Sequence, residues 1–334
     1  MSDERTVAIL RSYLGPHVCR FLEEPDVIDI LVRPTWVAVE RAGSDLTLVP
    51  AAVGSIKIAD VLRLLAPLVG CELSRDSEVV ELQLPGYRAR FAGLFHGERG
   101  QESFFTVRRM VVRGLPLEQY VRKGVFPSLV VDLLVDLLRN PVCGILIAGQ
   151  TGSGKTTFLA SLLQHIVREQ GEREHLMIIE DTAELLIDGP MVTSMISTQA
   201  LSYRDALRAS LRHRPTRLIV GEARGAEALD AIKAGATGHG LLLTIHANTA
   251  EGAIRTLLAR MNEGAEGQVD EQLVCQAIQL VAVFRRDAVD YKLAELCYLR
   301  GISYPDIALE RIALSAPSPH SNGGLDSCIE RLVL

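Results

Sequence analysis

The most restrictive feature of this chain is the segment 149–157, Gly149-Gln150-Thr151-Gly152-Ser153-Gly154-Lys155-Thr156-Thr157, set between an apolar run and an amphipathic stretch. The run before it, Cys143–Ala148 (CGILIA), has strand composition, and Lys155–Arg168 after it has helical periodicity. Strand, glycine loop and helix together bend a backbone so that successive N–H groups and the positive helix end face a polyphosphate. In the pattern G-x-x-x-x-G-K-[ST] the glycines allow the curl. Lys155 reaches the β- and γ-phosphates, and Thr156 offers its hydroxyl to Mg²⁺. The segment therefore predicts a nucleoside-triphosphate site, with the polyphosphate held along 149–157 and a buried strand carrying the loop.

The rest of the C-terminal part agrees with such a site. Leu176–Ile179 (LMII), Leu218–Val220 (LIV) and Leu241–Ile245 (LLLTI) are also short apolar runs, separated by helical stretches at Tyr203–Arg212 and Gly225–Gly235. Runs that do not alternate with polar residues predict strands covered on both faces, as in a parallel sheet flanked by helices. Residues 1–112 read differently, as mixed helix and strand. A hairpin is expected over Asp26–Val39 around Arg33-Pro34, a helix over Lys57–Val69, strands at Val79–Leu84, Arg88–Leu94 and Ser103–Val107, and a loop at Gly97–Gly100. Breaker clusters at Arg113–Pro116 and Lys123–Pro127 place a linker at 113–126. A helix is expected from Pro127 to Leu138, and the second domain over 127–314. The Ser-, Pro- and Gly-rich stretch 315–334 predicts a flexible tail.

Composition removes several function classes. At 334 residues and 48% hydrophobic, the chain can fill two cores. No apolar run approaches the ~18 residues of a membrane span, and the polar start Met1–Arg5 is not a secretory signal, so a cytoplasmic protein is expected. A net charge of −6 argues against nucleic-acid binding by overall charge. The six cysteines are scattered without a C-x-x-C pair, which predicts reduced thiols and no zinc module.

Three polar clusters follow predicted strands, and ligands in open α/β sheets bind beyond the carboxyl ends of strands. They are Ile178–Leu185 (IIEDTAEL), with Glu180, Asp181 and Glu184; Arg217–Glu222 (RLIVGE), a Walker B-like strand with Glu222 near Mg²⁺ or the attacking water; and Thr237–Asn248, with His239 and His246.

In their order over 149–248, these clusters resemble the secretion (traffic) ATPase superfamily of type II and type IV secretion and type IV pili. GQTGSGKTT is similar to its Walker A motif, IIEDTAEL to its Asp box, HRPTRLIVGEARGAEALD to its Walker B segment and TGHGLLLTIHAN to its His box. Within the superfamily the chain looks closest to the conjugative-transfer TrbB-type branch. The short His box, with His239 and His246 seven positions apart, is a form shared with pilus and type II motors, and Leu241-Leu242-Leu243 replaces its usual proline and glycines.

The resemblance implies an α/β protein. A RecA-like P-loop NTPase domain, its mostly parallel sheet covered by helices on both faces, would follow a smaller α+β N-terminal domain. It also implies a Mg²⁺-dependent ATPase motor that couples hydrolysis to motion between the domains. Such motors form a homo-oligomer, a hexameric ring, on inner-membrane secretion or pilus proteins, so the location would be cytoplasmic and peripheral to that membrane. Glu180 is the expected activator of water, with Glu222 the competing candidate and a metal partner beside Thr156. His246 would sense the γ-phosphate. GYRARFAGL and FTVRR would supply Arg90 and Arg108, with Arg88 and Arg109 as neighbouring alternatives. The rival readings are a pilus or type II motor, a P-loop kinase for a small acceptor, a non-catalytic nucleotide-gated protein and a DNA-translocating motor.

Overall fold

In the computed structural model the described residues are 4–314, apart from 25, 42–43, 51–53, 74–77, 97–101, 110–111, 113, 199, 268, 288–289 and 304, together with the backbone of 329–332. The chain divides into two units, Met1–Val111 and Val112–Leu334.

The first unit contains α1 (Glu4–Glu23), β1 (Val27–Val32), β2 (Val37–Arg41), β3 (Thr47–Leu48), α2 (Ile58–Leu65), β4 (Glu78–Gln83), β5 (Ala89–Phe95) and β6 (Phe104–Arg109). Its strands form one antiparallel sheet in the order β3-β2-β1-β6-β5-β4. The hairpin expected around Arg33-Pro34 is β1–β2, closed by the Arg33 N–H donating to the Trp36 carbonyl at 2.9 Å. Alternation in β5 buries Ala89, Phe91, Gly93 and Phe95, while Arg90 points the other way. The buried side chains join Leu10, Leu14 and Val18 of α1 and Val61, Leu62 and Leu65 of α2 in one core. The loop expected at Gly97–Gly100 lies outside the described residues.

The second unit contains α3 (Leu117–Arg122), α4 (Ser128–Leu138), β7 (Gly144–Gly149), α5 (Lys155–Gln170), β8 (Leu176–Glu180), β9 (Val192–Ile196), α6 (Tyr203–Ser210), β10 (Arg217–Val220), α7 (Glu227–Ala236), β11 (Gly240–Ile245), α8 (Ala250–Glu263), α9 (Gln272–Ala277), β12 (Leu280–Arg286), β13 (Tyr291–Ser303), β14 (Asp306–Ile312) and β15 (Ile329–Leu332). Nine strands make one sheet in the order β15-β14-β13-β12-β7-β11-β10-β8-β9. From β12 to β9 the pairing is parallel, and β12–β13–β14–β15 form an antiparallel edge.

The unbroken apolar runs follow from this layering. In β7, Ile145 and Ile147 pack with α4 and α5, and Leu146 and Ala148 face the opposite way into the core built with α7 and α8. Each strand residue is thus buried whichever way it points, and each fully buried Leu or Ile contributes about 1.5–3 kcal/mol.

Two segments carry more structure than their composition announces. The segment expected as a linker, 113–126, contains α3, and Leu117, Tyr120, Val125 and Phe126 are buried in the core that holds α5. Its glycines and prolines mark turns between packed pieces rather than a free tether. Tyr120 stacks on Phe126 and meets the edge of Phe158, and its hydroxyl lies 2.9 Å from Ser161 Oγ. The expected tail is also not free throughout, since β15 pairs antiparallel with β14; 315–328 and 333–334 lie outside the described residues. Among the described cysteines all five are free thiols, and Cys328 falls outside that set.

At the edge where the parallel strands begin, Arg217 is fully buried and pairs with buried Glu174. It also donates to the Leu138 carbonyl at 2.6 Å and lies 3.1 Å from Cys143 Sγ. The guanidinium ties the start of β10 to the end of α4 and the segment before β8.

Candidate active site

Parallel pairing of β8, β10, β11 and β7 puts their carboxyl ends on one edge of the sheet, and the four motif clusters follow those ends. Val220 is paired with both Ile179 and Leu243, so the exits of the Asp-box, Walker B and His-box strands stand side by side. Convergence of the clusters is therefore a result of strand order.

The loop after β7 is a tight cradle. A Cβ at Gly149 would lie 2.5 Å from the Phe284 carbonyl and 2.4 Å from Ser153 Oγ, so no larger residue fits without displacing backbone. Gly154 enters α5 at φ 95°, a conformation that side chains other than glycine's disfavour. Beside the loop, Tyr291 Cδ1 is 3.4 Å from the position a Gly154 Cβ would take, and Arg286 sits over the Tyr291 ring. Gln150, Thr151, His246, Ala247 and Asn248 line an open cleft of about 460 Å³. Thr156 and Thr157 are half-buried in the first turn of α5. Ser153 is buried, and its Oγ has no protein partner among the described residues.

Lys155 is buried and folded back on the loop, donating to the Gly149 carbonyl at 2.8 Å and the Gln150 carbonyl at 2.9 Å. Burial lowers its pKa, against the pull of Glu222 and Glu184. Its Nζ is 3.4 Å from His246 Nδ1, and His246 Nε2 is 2.8 Å from Glu222 Oε1.

The two candidate glutamates have opposite environments. Glu180, the last residue of β8, is 3% exposed; its Oε1 accepts from the N–H groups of Glu184 at 3.1 Å and Leu185 at 3.0 Å. Oε2 is buried and has no protein partner among the described residues. Burial pushes this carboxyl up to about 7, with the two N–H bonds opposing. Glu222 is held by charge instead. Burial works against its ionised form, yet the Arg224 bond and charge, with His246 and Lys155, keep it below the ordinary carboxylate range. Paired titratable groups driven apart in this way are an arrangement suited to acid–base work.

Arg224 is a site residue that the sequence motifs do not single out, although it lies inside the segment that follows β10, and it reaches Asp181 of the acidic cluster. Arg224 Nη2 donates to Glu222 Oε2 at 2.8 Å, and Nη1 donates to Asp181. Tyr203, from α6, donates its hydroxyl to the Ile179 carbonyl at 2.7 Å, behind Glu180. Nothing local to Tyr203 or Tyr291 in the sequence signals these positions, because long-range packing sets them. His239 separates from His246: it precedes β11, at the opposite end of the strand, and its Nδ1 is 3.1 Å from the Ala234 carbonyl near the end of α7.

The expected arginines lie in the first unit. Arg90 and Arg108 are directly opposite each other on β5 and β6. Arg90 makes an exposed pair with Glu81 at 3.3 Å. Arg108 grips the buried Asp29 through both oxygens, at 2.8 and 2.6 Å.

The donor set suits a hard divalent cation with phosphate, because a hydroxyl and a carboxylate beside a backbone cradle offer oxygen ligands only. The unpartnered Ser153 Oγ and Glu180 Oε2 are the groups that incoming phosphate, water or metal-bound oxygen would satisfy.

Known proteins resemble this chain in sequence and in fold. The family model described as type II/IV secretion system protein matches residues 96–286. The probable conjugal transfer protein TrbB of Sinorhizobium fredii is 31% identical over 288 residues, covering 85% of this chain and 87% of the relative. The type IV secretion system protein VirB11 of Bartonella henselae is 27% identical, covering 89% and 95%. Among solved structures, the pilus retraction motor PilT with bound ADP aligns with a TM-score of 0.62 at 23% identity, over 86% of this chain and 83% of that one, a likeness of fold.

Proposed function

The chain belongs to the type II/IV secretion system protein family as an ATPase of the type IV secretion and conjugal-transfer kind, and from that premise we propose that it is a Mg²⁺-dependent motor subunit. The observation that carries this reading is the run of contacts from Lys155 of the phosphate loop through His246 to Glu222.

In the proposed reaction Lys155 leaves the Gly149 and Gln150 carbonyls and takes up the β- and γ-phosphates, while loop N–H groups hold the rest. When bound, Mg²⁺ would neutralise charge on the phosphate oxygens, held by Thr156 and by Glu222 directly or through water. Glu180 takes the proton of the attacking water, for which a carboxyl near 7 is well matched at neutral pH. Glu222 is the second candidate for that proton, favoured by its ionised state. Contact with both Lys155 and Glu222 suits His246 to report γ-phosphate loss to β11. Arg90 and Arg108 remain the arginines that would add positive charge to the nucleotide.

Family membership supports assembly as a homo-oligomer, proposed to be a six-membered ring, working with secretion proteins at the inner membrane. No helix among the described residues is long and apolar enough to cross a membrane, so attachment would be through partners or surface contact. Coupling of hydrolysis to relative motion of the two units is part of the proposal, as is the absence of direct nucleic-acid binding.

The test is ATP turnover without any added acceptor. Purified protein should release phosphate with Mg²⁺ present, and Lys155→Ala should abolish release while leaving the protein folded, as far-UV circular dichroism would show. Phosphate release at the wild-type rate in Lys155→Ala would remove the assignment. Turnover only with a small-molecule acceptor would favour a kinase.

A further inference from the structure

We propose that Arg224 is a positioning residue that ties Asp181, after β8, to Glu222, after β10, and thereby aims the Glu222 carboxylate at the phosphate site. This rests on the ATPase reading above and adds a role to a residue outside its machinery.

The geometry is that of a fork between two carboxylates. One planar guanidinium donates from Nη2 to Glu222 Oε2 at 2.8 Å and from Nη1 to Asp181 Oδ2. Glu222 Oε1 is taken by His246 Nε2 at 2.8 Å, so the carboxylate is held from both sides. The backbone beneath the fork is fixed too. The N–H groups of Arg224 and Gly225 both donate to Glu227 Oε1, at 2.7 and 2.8 Å, and the Ala223 N–H donates to the Thr244 carbonyl at 2.9 Å. Arg224 therefore projects from a rigid base at the start of α7 across to the loop after β8. That loop also contains Glu184 and Leu185, the two residues whose N–H groups hold Glu180. A single side chain thus links the loops that set both candidate glutamates.

Exposure separates positioning from folding. The Arg224 side chain is 58% exposed and Asp181 39%, and ion pairs of that kind add little to stability. Catalysis is far more sensitive, since a displacement of ~1 Å at a reacting group can cost about 10²-fold in rate. Lysine cannot reproduce the arrangement, because a single ammonium lacks the planar fork that spans two carboxylates.

The experiment compares wild type, Arg224→Ala, Arg224→Lys, Asp181→Asn, Glu222→Gln and Lys155→Ala in the full chain. Arg224→Ala should lower kcat about 10²-fold with KM for ATP within about twofold. Its melt, and its binding of a fluorescent ATP analogue in EDTA, should stay at wild-type values. Guanidinium in the assay should restore part of the kcat of Arg224→Ala and none of that of Lys155→Ala. Asp181→Asn should lower kcat alone and add nothing in the Arg224→Ala background, as expected of residues in one linkage.

Wild-type kcat in Arg224→Ala, with Glu222→Gln inactive, would overturn the inference and leave the ATPase reading intact. A loss of kcat accompanied by a lowered melt and weakened analogue binding would reduce Arg224 to a structural residue and overturn it as well. Full activity in Lys155→Ala would instead defeat the underlying reading.

Discussion

Glu180 is the residue at which the structure makes the most quantitative demand. Its carboxyl is 3% exposed, one oxygen accepts two backbone N–H bonds, and the other has no protein partner among the described residues. Burial moves it from the ordinary 4.5 up to about 7. At 1.36 kcal/mol per pH unit, that rise means the ionised side chain opposes folding by about 3 kcal/mol. The sign follows from proton linkage. Between 4.5 and about 7 the folded protein binds more protons at this site than the unfolded chain, so stability from Glu180 is greatest below 4.5, falls as pH rises, and levels off above about 7.

Glu180→Gln replaces the carboxyl by a neutral group of the same shape that can still accept from Glu184 and Leu185. The variant should be more stable than wild type at pH 8 by about 3 kcal/mol, and equal to it near pH 4.5. For a unit of this size that is about 6–12 °C in melting temperature. Urea and thermal melts of the nucleotide-free protein at several pH values measure the difference, with turnover recorded in parallel. Wild-type kcat should rise with pH through about 7 as the base ionises, and Glu180→Gln should bind ATP without turning it over. A variant less stable than wild type at pH 8, or a difference that does not change with pH, would refute the argument from burial.

Three further outcomes follow from ion pairs. Glu174→Gln removes the partner of a fully buried guanidinium and should cost about 3–5 kcal/mol in urea unfolding, far from the reacting groups. Arg90→Ala, which breaks only an exposed pair, should lower turnover and leave the melt within about 0.5 kcal/mol. Arg108→Ala should lower both, because it strands the buried Asp29; unchanged turnover in both variants would remove these arginines from the reaction.

Much of the second unit was legible because its signals are local. The runs CGILIA, LMII, LIV and LLLTI became β7, β8, β10 and β11 with ends shifted by at most one residue, and the glycine loop lies between strand and helix as its spacing requires. Such runs need only their own composition to announce burial on both faces. Packing of the linker segment was not legible, because glycine and proline report a break in regular structure and not whether neighbours such as Tyr120 and Phe126 are buried. The pairing of β15 was hidden for a similar reason, since composition does not reveal that β14 offers it an edge.

The sequence by itself determined which chemistry is present: a phosphate-binding backbone, one lysine, two candidate carboxylates after apolar strands and a histidine. Tertiary structure decided which of those groups meet and in what surroundings. Strand order brought His246 between Lys155 and Glu222 and sent His239 to the other end of β11. Burial raised Glu180 and charge lowered Glu222, though both are glutamates that follow an apolar run. The cause is that ionisation energy depends on solvent and charge within a few ångströms, and those neighbours come from segments distant in the chain.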